Sequence, residues 1–374
     1  MKIRRVTLQR LRLPLRVPFV TSYGANAHKY CLLVTVDTAN AQGYGECSAF
    51  AAPLYLEETT GTAWHVLRDF FIPALFRAPL SGPLDVRDIL RPFRGHPMAK
   101  AALEAAVWDA FAKERGESLA KALGAADAPD VPEIAVGVSL GLQADEDALN
   151  SLIEDSLRAG YRRIKIKIAP GRDSGVVRAV RAAHGAIELA VDANAAYRLS
   201  DAGALRTLDE HHLVMIEQPL APDDLVDHAA LQAQLKTPLC LDESVKSSDD
   251  GRKAAQIGAC RIVNIKAARV GGLAEARDLQ AVCASFGLDA WCGGMLETGV
   301  GRLANLALAA LPGFTMPADL AQSDHYFAED IIEPAVQFAR PGFIAVPRGP
   351  GIGAEVRTAL VARLAQETQV FLPD

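Results

Sequence analysis

The sequence between about residues 131 and 321 alternates between short β-rich runs and longer helical patterns. Successive β-rich runs begin near residues 134, 162, 187, 212, 238, 261, 289 and 314. Alternating β and α units imply parallel strands joined by right-handed crossovers. Eight units in about 190 residues fit a closed (β/α) barrel better than an open doubly wound sheet, which stays the alternative. No glycine-rich phosphate loop follows an early strand, so we predict an α/β fold built on a TIM-like barrel.

The sequence on either side of this repeat has a different character. The first third combines strand patterns, such as KIRRVTLQRLRLPL and KYCLLVTVDT, with two helical patterns. Residues 124–133, GAADAPDVPE, are small, acidic and carry prolines, which is typical of a linker. The tail from about residue 322 returns to loop and strand character. We therefore expect two domains, with the tail folding back onto the first.

Bulk properties limit the possible partners. The 374 residues carry a formal net charge of −6, which argues against nucleic acid or an anionic membrane as the main partner. The six cysteines form no CxxC pair, as in cytosolic proteins with reduced thiols. Arginines interrupt the apolar runs near the N-terminus, and no run approaches the ~18 residues of a membrane span. We expect a soluble, cytoplasmic protein that acts on a small molecule.

Charged residues end five successive β-rich runs at intervals of about 25 residues, the length of one βα unit. These residues are Lys167, Asp192, Glu217, Asp242 and Lys266. A single charge at such a position would ordinarily face water, but five in register favour a common site. The carboxyl ends of barrel strands are where catalytic residues gather. The sequence therefore predicts an active site at this end of the barrel.

The three carboxylates of this series would repel one another if they converged without compensation. A divalent cation removes that cost, and an all-oxygen ligand set without histidine favours a hard metal. We therefore expect Asp192, Glu217 and Asp242 to bind Mg²⁺, with Mn²⁺ possible and Zn²⁺ disfavoured.

Lysines flank the carboxylates in strand order. Lys165 and Lys167 lie on the strand before them and Lys266 on the strand after, so a closed barrel places the lysines on opposite sides of its mouth. A nearby cation and partial burial lower the pKa of a lysine towards the range that a general base needs. We expect Lys165, together with the metal, to keep Lys167 partly neutral.

A hard metal between two bases suits the removal of a proton α to a carboxylate, because the resulting enediolate needs strong positive charge. An aldolase that forms a Schiff base through a lysine is the alternative enzyme class, although it does not need three carboxylates. A barrel retained only for binding or structure is the alternative outside enzymes.

Five short motifs carry a resemblance to a known family. KIK, VDAN, IEQP, LDES and NIK resemble the signature of the enolase superfamily, muconate-lactonizing-enzyme subgroup. The resemblance implies an α+β capping domain, residues 1–125 plus the tail from about 322 to 374, over a modified (β/α)7β barrel of residues 131–321. It also implies that the three carboxylates bind Mg²⁺ and that Lys167 and Lys266 form the acid/base pair.

Longer strings, among them DDLVDHAALQ, GACRIVNIKAARVGGL and WCGGMLETGVGRLANLALAALP, are similar to the o-succinylbenzoate synthase and N-acylamino acid racemase family. Members dehydrate the succinyl-hydroxycyclohexadiene carboxylate of menaquinone biosynthesis, and some racemise N-acylamino acids. The resemblance implies a carbon–oxygen lyase, a racemase or both. Another muconate-cycloisomerase-like or dipeptide-epimerase-like enzyme is the alternative within the superfamily, and we expect a homo-oligomer.

Three departures from related patterns bear on the choice of branch. Ala267 and Ala268 follow the last lysine where many relatives have Pro-Gly. Dipeptide epimerases carry Asp-x-Asp at the last strand, whereas Asp319 here is followed by Leu320 and Ala321. No His-Asp dyad replaces Lys266, which counts against the mandelate racemase branch.

Further residues are candidates for contact with substrate. Asn194, Ser139 and Glu297 are expected near the site, with a turn or a loop ion pair as the alternative reading for Asn194 and Glu297. Arg269 is expected to form an ion pair with a helix or to tune Lys266. PFVTSYGANAHKY and ECSAFAAPLYLEE resemble loops that close over the substrate in relatives, and their aromatic candidates are Phe19, Tyr23, Phe50 and Tyr55.

Overall fold

The structure is a computed structural model that describes residues 1–21, 24–124 and 133–373. The predicted linker lies almost entirely outside these ranges. The strands are β1 (Arg5–Thr21), β2 (Gly24–Asp37), β3 (Gln42–Cys47), β4 (Glu133–Ala135), β5 (Val138–Leu140), β6 (Ile164–Lys167), β7 (Leu189–Asp192), β8 (Ile216–Glu217), β9 (Leu239–Leu241), β10 (Ile262–Ile265), β11 (Asp289–Cys292), β12 (Ile332–Glu333), β13 (Phe338–Arg340), β14 (Phe343–Ala345), β15 (Glu355–Val356) and β16 (Ala365–Phe371). The α-helices are α1 (Thr60–Val66), α2 (Ile72–Arg77), α3 (Leu84–Leu90), α4 (Pro97–Glu114), α5 (Leu119–Ala122), α6 (Glu146–Ala159), α7 (Ser174–His184), α8 (Ala202–Arg206), α9 (Val226–Gln232), α10 (Ser248–Ile257), α11 (Ala267–Val270), α12 (Leu273–Ser285), α13 (Gly299–Ala309), α14 (Ser323–Tyr326) and α15 (Thr358–Leu364).

The first sheet is antiparallel, with the order β16-β1-β2-β3. Apolar residues alternate along β1, and Val6 and Leu8 are buried between the sheet and its helices. The alanine-rich helix α4 approaches β3 closely, because a Cβ at Gly43 would lie 2.1 Å from the carbonyl oxygen of Ala106. Strand β16 brings the tail back to β1, whereas β14 lies between β13 and β4 and pairs with both. The exact domain boundaries stay a prediction.

The second sheet is parallel and has the order β11-β10-β9-β8-β7-β6-β5. Most of its strands are followed by a helix that covers the outer face. The first predicted barrel strand is divided, because β4 pairs with β14 of the tail and only β5 joins β6. This division leaves seven regular strands in the parallel sheet.

The eighth predicted strand is not a regular strand in the structure. Segment 315–319 makes isolated backbone hydrogen bonds to both neighbours: the amide of Asp319 donates to the end of β11 at 3.0 Å, and the carbonyl of Ala318 accepts from Gly137 at 2.8 Å. Pro317 has no N–H to donate, which prevents a continuous ladder here. The segment nevertheless spans the gap between β11 and β5, and the predicted barrel with its α+β partner is confirmed.

The two faces of β6 have different surroundings, which explains why lysines alternate with isoleucines in this strand. Ile164 and Ile166 belong to the core between the sheet and the helices, where they join Ile153 and Val177. Lys165 points the other way, into the barrel. Below it, a separate apolar cluster fills the barrel floor: Ala190, Met215, Cys240, Ile262 and Trp291.

Some helices differ from the predicted patterns. One of the helical patterns between the β-rich runs, LSDAGALRTLDEHH at residues 199–212, forms two 3₁₀ turns, Leu199–Asp201 and Thr207–His211, on either side of the short α8. The helix predicted before residue 77 is interrupted by a π turn, Leu67–Phe71, before the proline at the start of α2. In the described part of the chain, no helix combines the length and the apolar character of a membrane span.

A buried carboxylate on α4 joins the first domain to the barrel. Glu104 accepts hydrogen bonds from the amides of Leu273 at 2.5 Å and Ala274 at 3.2 Å, at the start of α12. Gly272 leaves the room for this contact, because a Cβ there would lie 1.9 Å from Glu104 Oε2. Burial outweighs these bonds and raises the pKa of Glu104 to about 7.

The raised pKa of Glu104 predicts how a Glu104→Gln variant responds to pH. The folded protein binds this proton more tightly than the unfolded chain, so its stabilising contribution is present below the ordinary pKa and is lost as pH rises towards 7. We expect wild type and variant to have similar free energies of unfolding near pH 5. Near pH 8, the free energy of unfolding of the variant is expected to exceed that of wild type by up to about 3 kcal/mol. Urea unfolding across this range measures the difference, with Glu154→Gln on the exposed face of α6 as the control. A difference independent of pH would contradict the assignment.

Candidate active site

The charged residues of the sequence series meet at the carboxyl ends of β6 to β10. Lys167 pairs in register with Asp192 on β7, which pairs in register with Glu217 on β8. Asp242 and Lys266 directly follow β9 and β10. The cavity above these strands has a volume of about 870 Å³ including its open mouth, and lysines from both sides of the barrel line it.

Each of the three carboxylates accepts a hydrogen bond from a lysine through one oxygen. The distances are 2.6 Å from Lys165 Nζ to Glu217 Oε2, 2.7 Å from Lys167 Nζ to Asp192 Oδ2, and 2.8 Å from Lys266 Nζ to Asp242 Oδ2. Sequence reasoning predicted that these residues would converge, and the structure brings all six together.

The second oxygen of each carboxylate is held from behind. The backbone amide of Asn194 donates to Asp192 Oδ1 at 2.9 Å, and Asn264 Nδ2 donates to Glu217 Oε1 at 2.7 Å. Such contacts orient a carboxylate and leave its other oxygen directed into the site. The site is therefore largely preorganised by the barrel itself.

Asp242 is held by a residue from the first domain and by a buried arginine. The Tyr55 hydroxyl donates to Asp242 Oδ1 at 2.9 Å and also lies 3.3 Å from Lys266 Nζ. The Arg269 guanidinium bonds the same carboxylate, and it also donates to the carbonyl of Val245 at 2.8 Å. The expected ion pair between Arg269 and a helix is wrong, because Arg269 points back under the sheet to the end of β9.

Two lysines of the site are surrounded by anionic side chains. Burial alone would lower the pKa of Lys165, but the charges of Glu217, Asp319 and Asp192 together raise it above its ordinary value. The pKa of Lys266 is likewise raised, because Asp242 and other anionic neighbours outweigh burial. The expectation that Lys165 and a metal ion keep Lys167 partly neutral stays a prediction.

The buried carboxylates of the site differ in pKa: lysines and Arg269 lower the pKa values of Asp192 and Asp242, whereas those of two glutamates are raised. Burial, then Asp192 and Asp242, raise the pKa of Glu217. Burial and the same two aspartates raise the pKa of Glu243 to about 8, and its Oε2 atom, although buried, has no hydrogen-bond partner among the described residues. Negatively charged carboxylate oxygens are the ligands that a hard cation prefers, so these side chains suit such an ion.

A metal ion would need the lysines to turn aside. Within the described ranges, no group of three or more His, Cys, Asp or Glu side chains has the spacing of a metal site. Lys165 Nζ stands between two of the carboxylates, 2.6 Å from Glu217 and 3.5 Å from Asp192. Rotation of flexible lysine side chains would free the inward oxygens, so the all-oxygen set of Asp192, Glu217 and Asp242 fits Mg²⁺ chemically.

Four of the predicted substrate contacts line the cavity. Asn194, Ser139 and Tyr55 all face it, and so does Phe50 from the same loop as Tyr55. Asn194 Oδ1 accepts from Lys167 Nζ at 2.5 Å, and its backbone has a φ of 41°, a left-handed conformation that asparagine tolerates. The strand-end turn and the site contact expected for this residue are therefore both present.

The other predicted contacts do not meet the substrate cavity in the described structure. Glu297 turns into its own loop, where both carboxylate oxygens accept from the amide of Met295 at 2.8 Å and one accepts from Asn305 at 3.1 Å. Its position therefore contradicts the predicted contact with substrate or Lys266. The side chain of Phe19, in β1, and the whole of Tyr23 lie outside the described residues.

Two residues that sequence reasoning did not place in the site line the cavity. Asp319 accepts from Ser139 Oγ at 2.5 Å and lies 3.4 Å from Lys165 Nζ. Its position at the end of the last predicted strand was a signal, because each of the five strands from β6 to β10 ends in, or directly before, a charged site residue. Tyr326, in α14 of the tail, also lines the cavity, and no local sequence pattern predicted this position.

Comparisons with known proteins agree on one family. The family models described as Enolase C-terminal domain-like and as Mandelate racemase / muconate lactonizing enzyme, N-terminal domain, match residues 148–360 and 3–124. An o-succinylbenzoate synthase of Geobacillus kaustophilus is 50% identical over 98% of the chain and 96% of the relative. An N-succinylamino acid racemase of Thermus thermophilus is 44% identical over 97% of each chain. The crystal structure of an enolase superfamily member from Listeria innocua superposes with a TM-score of 0.95 at 41% identity, covering 100% of both chains.

Proposed function

The chain belongs to the enolase superfamily, and on this premise we propose that it is a Mg²⁺-dependent o-succinylbenzoate synthase of menaquinone biosynthesis. The observation that carries the proposal is a cavity lined by lysines from opposite sides of the barrel, each of which bonds one of the three adjacent carboxylates. Superfamily members generally use Mg²⁺, and Asp192, Glu217 and Asp242 would hold it here. When bound, Mg²⁺ would stabilise the negative charge that develops on the substrate carboxylate.

Lys167 is the proposed base. Its amine, when neutral, takes the proton α to the substrate carboxylate, and the electron pair of the C–H bond moves into the carboxylate. The electron pair then returns from the carboxylate to form the C=C bond as the C–O bond breaks, and the ammonium so formed gives its proton to the departing hydroxyl group, which leaves as water. Both transfers use one face of the substrate, so a single lysine suffices and the elimination is syn.

Lys266 acts from the opposite side of the barrel. Three strands, β7, β8 and β9, separate its strand from that of Lys167. Its ammonium stays protonated and donates to the anionic intermediate, consistent with a pKa that its anionic neighbours raise. Phe50 and Tyr55 lie on the cap side of the cavity and would exclude water from the reacting carbons.

The direct test is an assay of the purified protein with Mg²⁺. We expect dehydration of the succinyl-hydroxycyclohexadiene carboxylate, abolished by a chelator and restored by Mg²⁺, with Mn²⁺ as a possible substitute. Absence of turnover with either metal would contradict the proposal. Inactivation by borohydride in the presence of a carbonyl substrate, without sensitivity to chelators, would instead identify a Schiff-base aldolase.

N-acylamino acid racemisation is the second candidate, as main or additional activity. The observation that favours it is the placement of Lys167 and Lys266 on opposite sides of one cavity, since racemisation needs a base on each face. Several relatives of similar identity are named racemases. A homo-oligomeric state and a cytoplasmic location remain predictions from the sequence.

Racemisation makes a distinct prediction for Lys266→Ala. In heavy water, wild type is expected to exchange the α-proton of both enantiomers of an N-succinylamino acid. The variant is expected to retain exchange of only the enantiomer whose proton faces Lys167, because that base is intact. Proton NMR of each pure enantiomer measures the two rates. Equal loss for both enantiomers would contradict the two-base arrangement, and Lys253→Ala on the exposed surface of α10 is the control.

A further inference from the structure

An arginine is buried in the interior of the barrel beneath the site. Arg163 precedes β6, is 1% exposed, and none of its three guanidinium nitrogens hydrogen-bonds to any described residue. Its guanidinium carbon lies 4.2 Å from the ring centroid of Trp291 on the barrel floor. A buried charge without hydrogen bonds is costly, and a cation–π contact offsets only part of that cost. This cost indicates that Arg163 has a role other than packing.

One carboxylate of the cavity faces this guanidinium. Asp319 Oδ1 lies 3.8 Å from Arg163 Nη2, while Asp319 Oδ2 accepts from Ser139 and lies 3.4 Å from Lys165 Nζ. Asp319 is thus shared between a cation below it and polar groups beside it. Gly137 makes the arrangement possible, because a Cβ at this position would lie 3.1 Å from Arg163 Nε and 2.9 Å from its carbonyl oxygen.

The contact between Arg163 and Asp319 affects substrate binding because of where Asp319 lies. Its side chain is 15% exposed and lines the cavity that the proposed carboxylate substrate would enter. Without compensation from below, this carboxylate would repel an anionic substrate and would compete with it for Lys165. Arg163 opposes both effects from a position that the substrate does not reach, since Arg163 is not among the residues that line the cavity.

We infer that Arg163 is a positioning residue for substrate binding, which acts through Asp319. It neutralises Asp319 and draws it towards the barrel floor, so that Lys165 is available to the substrate carboxylate. The inference rests on the proposed function in one respect, namely that the substrate is an anion. It assigns no proton transfer to Arg163.

The test is a pair of variants, Arg163→Met and Asp319→Asn, studied singly and together. R163M is expected to raise KM about tenfold with kcat changed less than about threefold, because binding rather than chemistry loses a favourable charge. In the double variant, KM is expected to return to that of D319N alone, since no charge remains to be compensated. Arg162→Met is the matched control: Arg162 is exposed and its guanidinium carbon lies 5.3 Å from the ring centroid of Phe343, outside the barrel.

The outcomes separate this inference from the proposed function. An unchanged KM in R163M, or a double variant whose KM rises by the product of the two single effects, overturns the role of Arg163. A purely structural role would lower the melting temperature without suppression by D319N. If R163M does not fold, Arg163→Gln replaces it, alone and in combination with D319N, in the same measurements. Calorimetric binding of o-succinylbenzoate to wild type with Mg²⁺ is the independent readout: no binding and no turnover would overturn the proposed function and this inference with it.

Discussion

Replacement of Lys167 by alanine is expected to lower kcat for the dehydration by about a thousandfold, the scale of a lost general base. Lys167 Nζ faces the cavity and is held by Asp192 Oδ2 at 2.7 Å and Asn194 Oδ1 at 2.5 Å. These two contacts fix the amine at one side of the barrel mouth. No other described lysine on that side except Lys165 lines the cavity, and Lys165 is tied to Glu217 deeper in the barrel.

The measurement is steady-state turnover of K167A, with Lys253→Ala as the control for loss of one positive charge. KM is expected to change much less than kcat, because the base acts in the transition state. An added primary amine such as methylamine is expected to restore part of the activity. Near-full activity of K167A would show that another group is the base, while the proposed reaction itself would stand.

Replacement of Glu217 by glutamine is expected to abolish Mg²⁺ binding and to reduce kcat to below about 1% of wild type. Glu217 is fully buried on the middle strand of the three that carry the carboxylates. Its Oε1 is held by Asn264 at 2.7 Å and its Oε2 faces Lys165 at 2.6 Å. An amide in this position removes one of three charges that the cation would require and presents an N–H₂ group towards an ammonium or a metal.

Titration calorimetry with Mg²⁺ measures the loss directly and does not depend on activity. Glu188→Gln, at the exposed start of β7, is the control for the removal of one negative charge. Mg²⁺ binding by E217Q with unchanged affinity would show that the carboxylates of this site are not the metal ligands. Full activity of wild type after treatment with a chelator would contradict the metal requirement altogether.

Much of the site was predictable because barrel geometry converts sequence spacing into spatial position. Strand ends recur with every βα unit, so Asp192, Glu217 and Asp242 had to lie on adjacent strands once the repeat was recognised. The same logic placed Lys167 and Lys266 on opposite sides. The irregular eighth strand was less predictable, because Pro317 lies inside an apolar run that otherwise resembles a strand.

Contacts made by loops and by the second domain could not be predicted from the spacing of residues along the sequence. Tyr326 reaches the cavity from the tail, and no spacing rule links it to the site, whereas Tyr55 was expected only because its loop resembles one that closes over the substrate in relatives. Glu297 had an apparently suitable position after β11, but its loop turns the carboxylate back to the amide of Met295. Arg269 was expected to form an ion pair with a helix and instead bonds Asp242.

The amino-acid sequence by itself determined which residue types stand at the end of each barrel strand, because a strand period of two and a unit of about 25 residues leave little freedom in register. It thereby determined the fold class, the cluster of three carboxylates and the opposed lysines. Only the tertiary structure decided which oxygen each lysine bonds, that Arg163 lies under Asp319, and that the anionic neighbours raise the pKa of Lys165. These properties depend on distances of a few ångströms between distant parts of the chain, and electrostatic energies in a buried site change steeply over such distances.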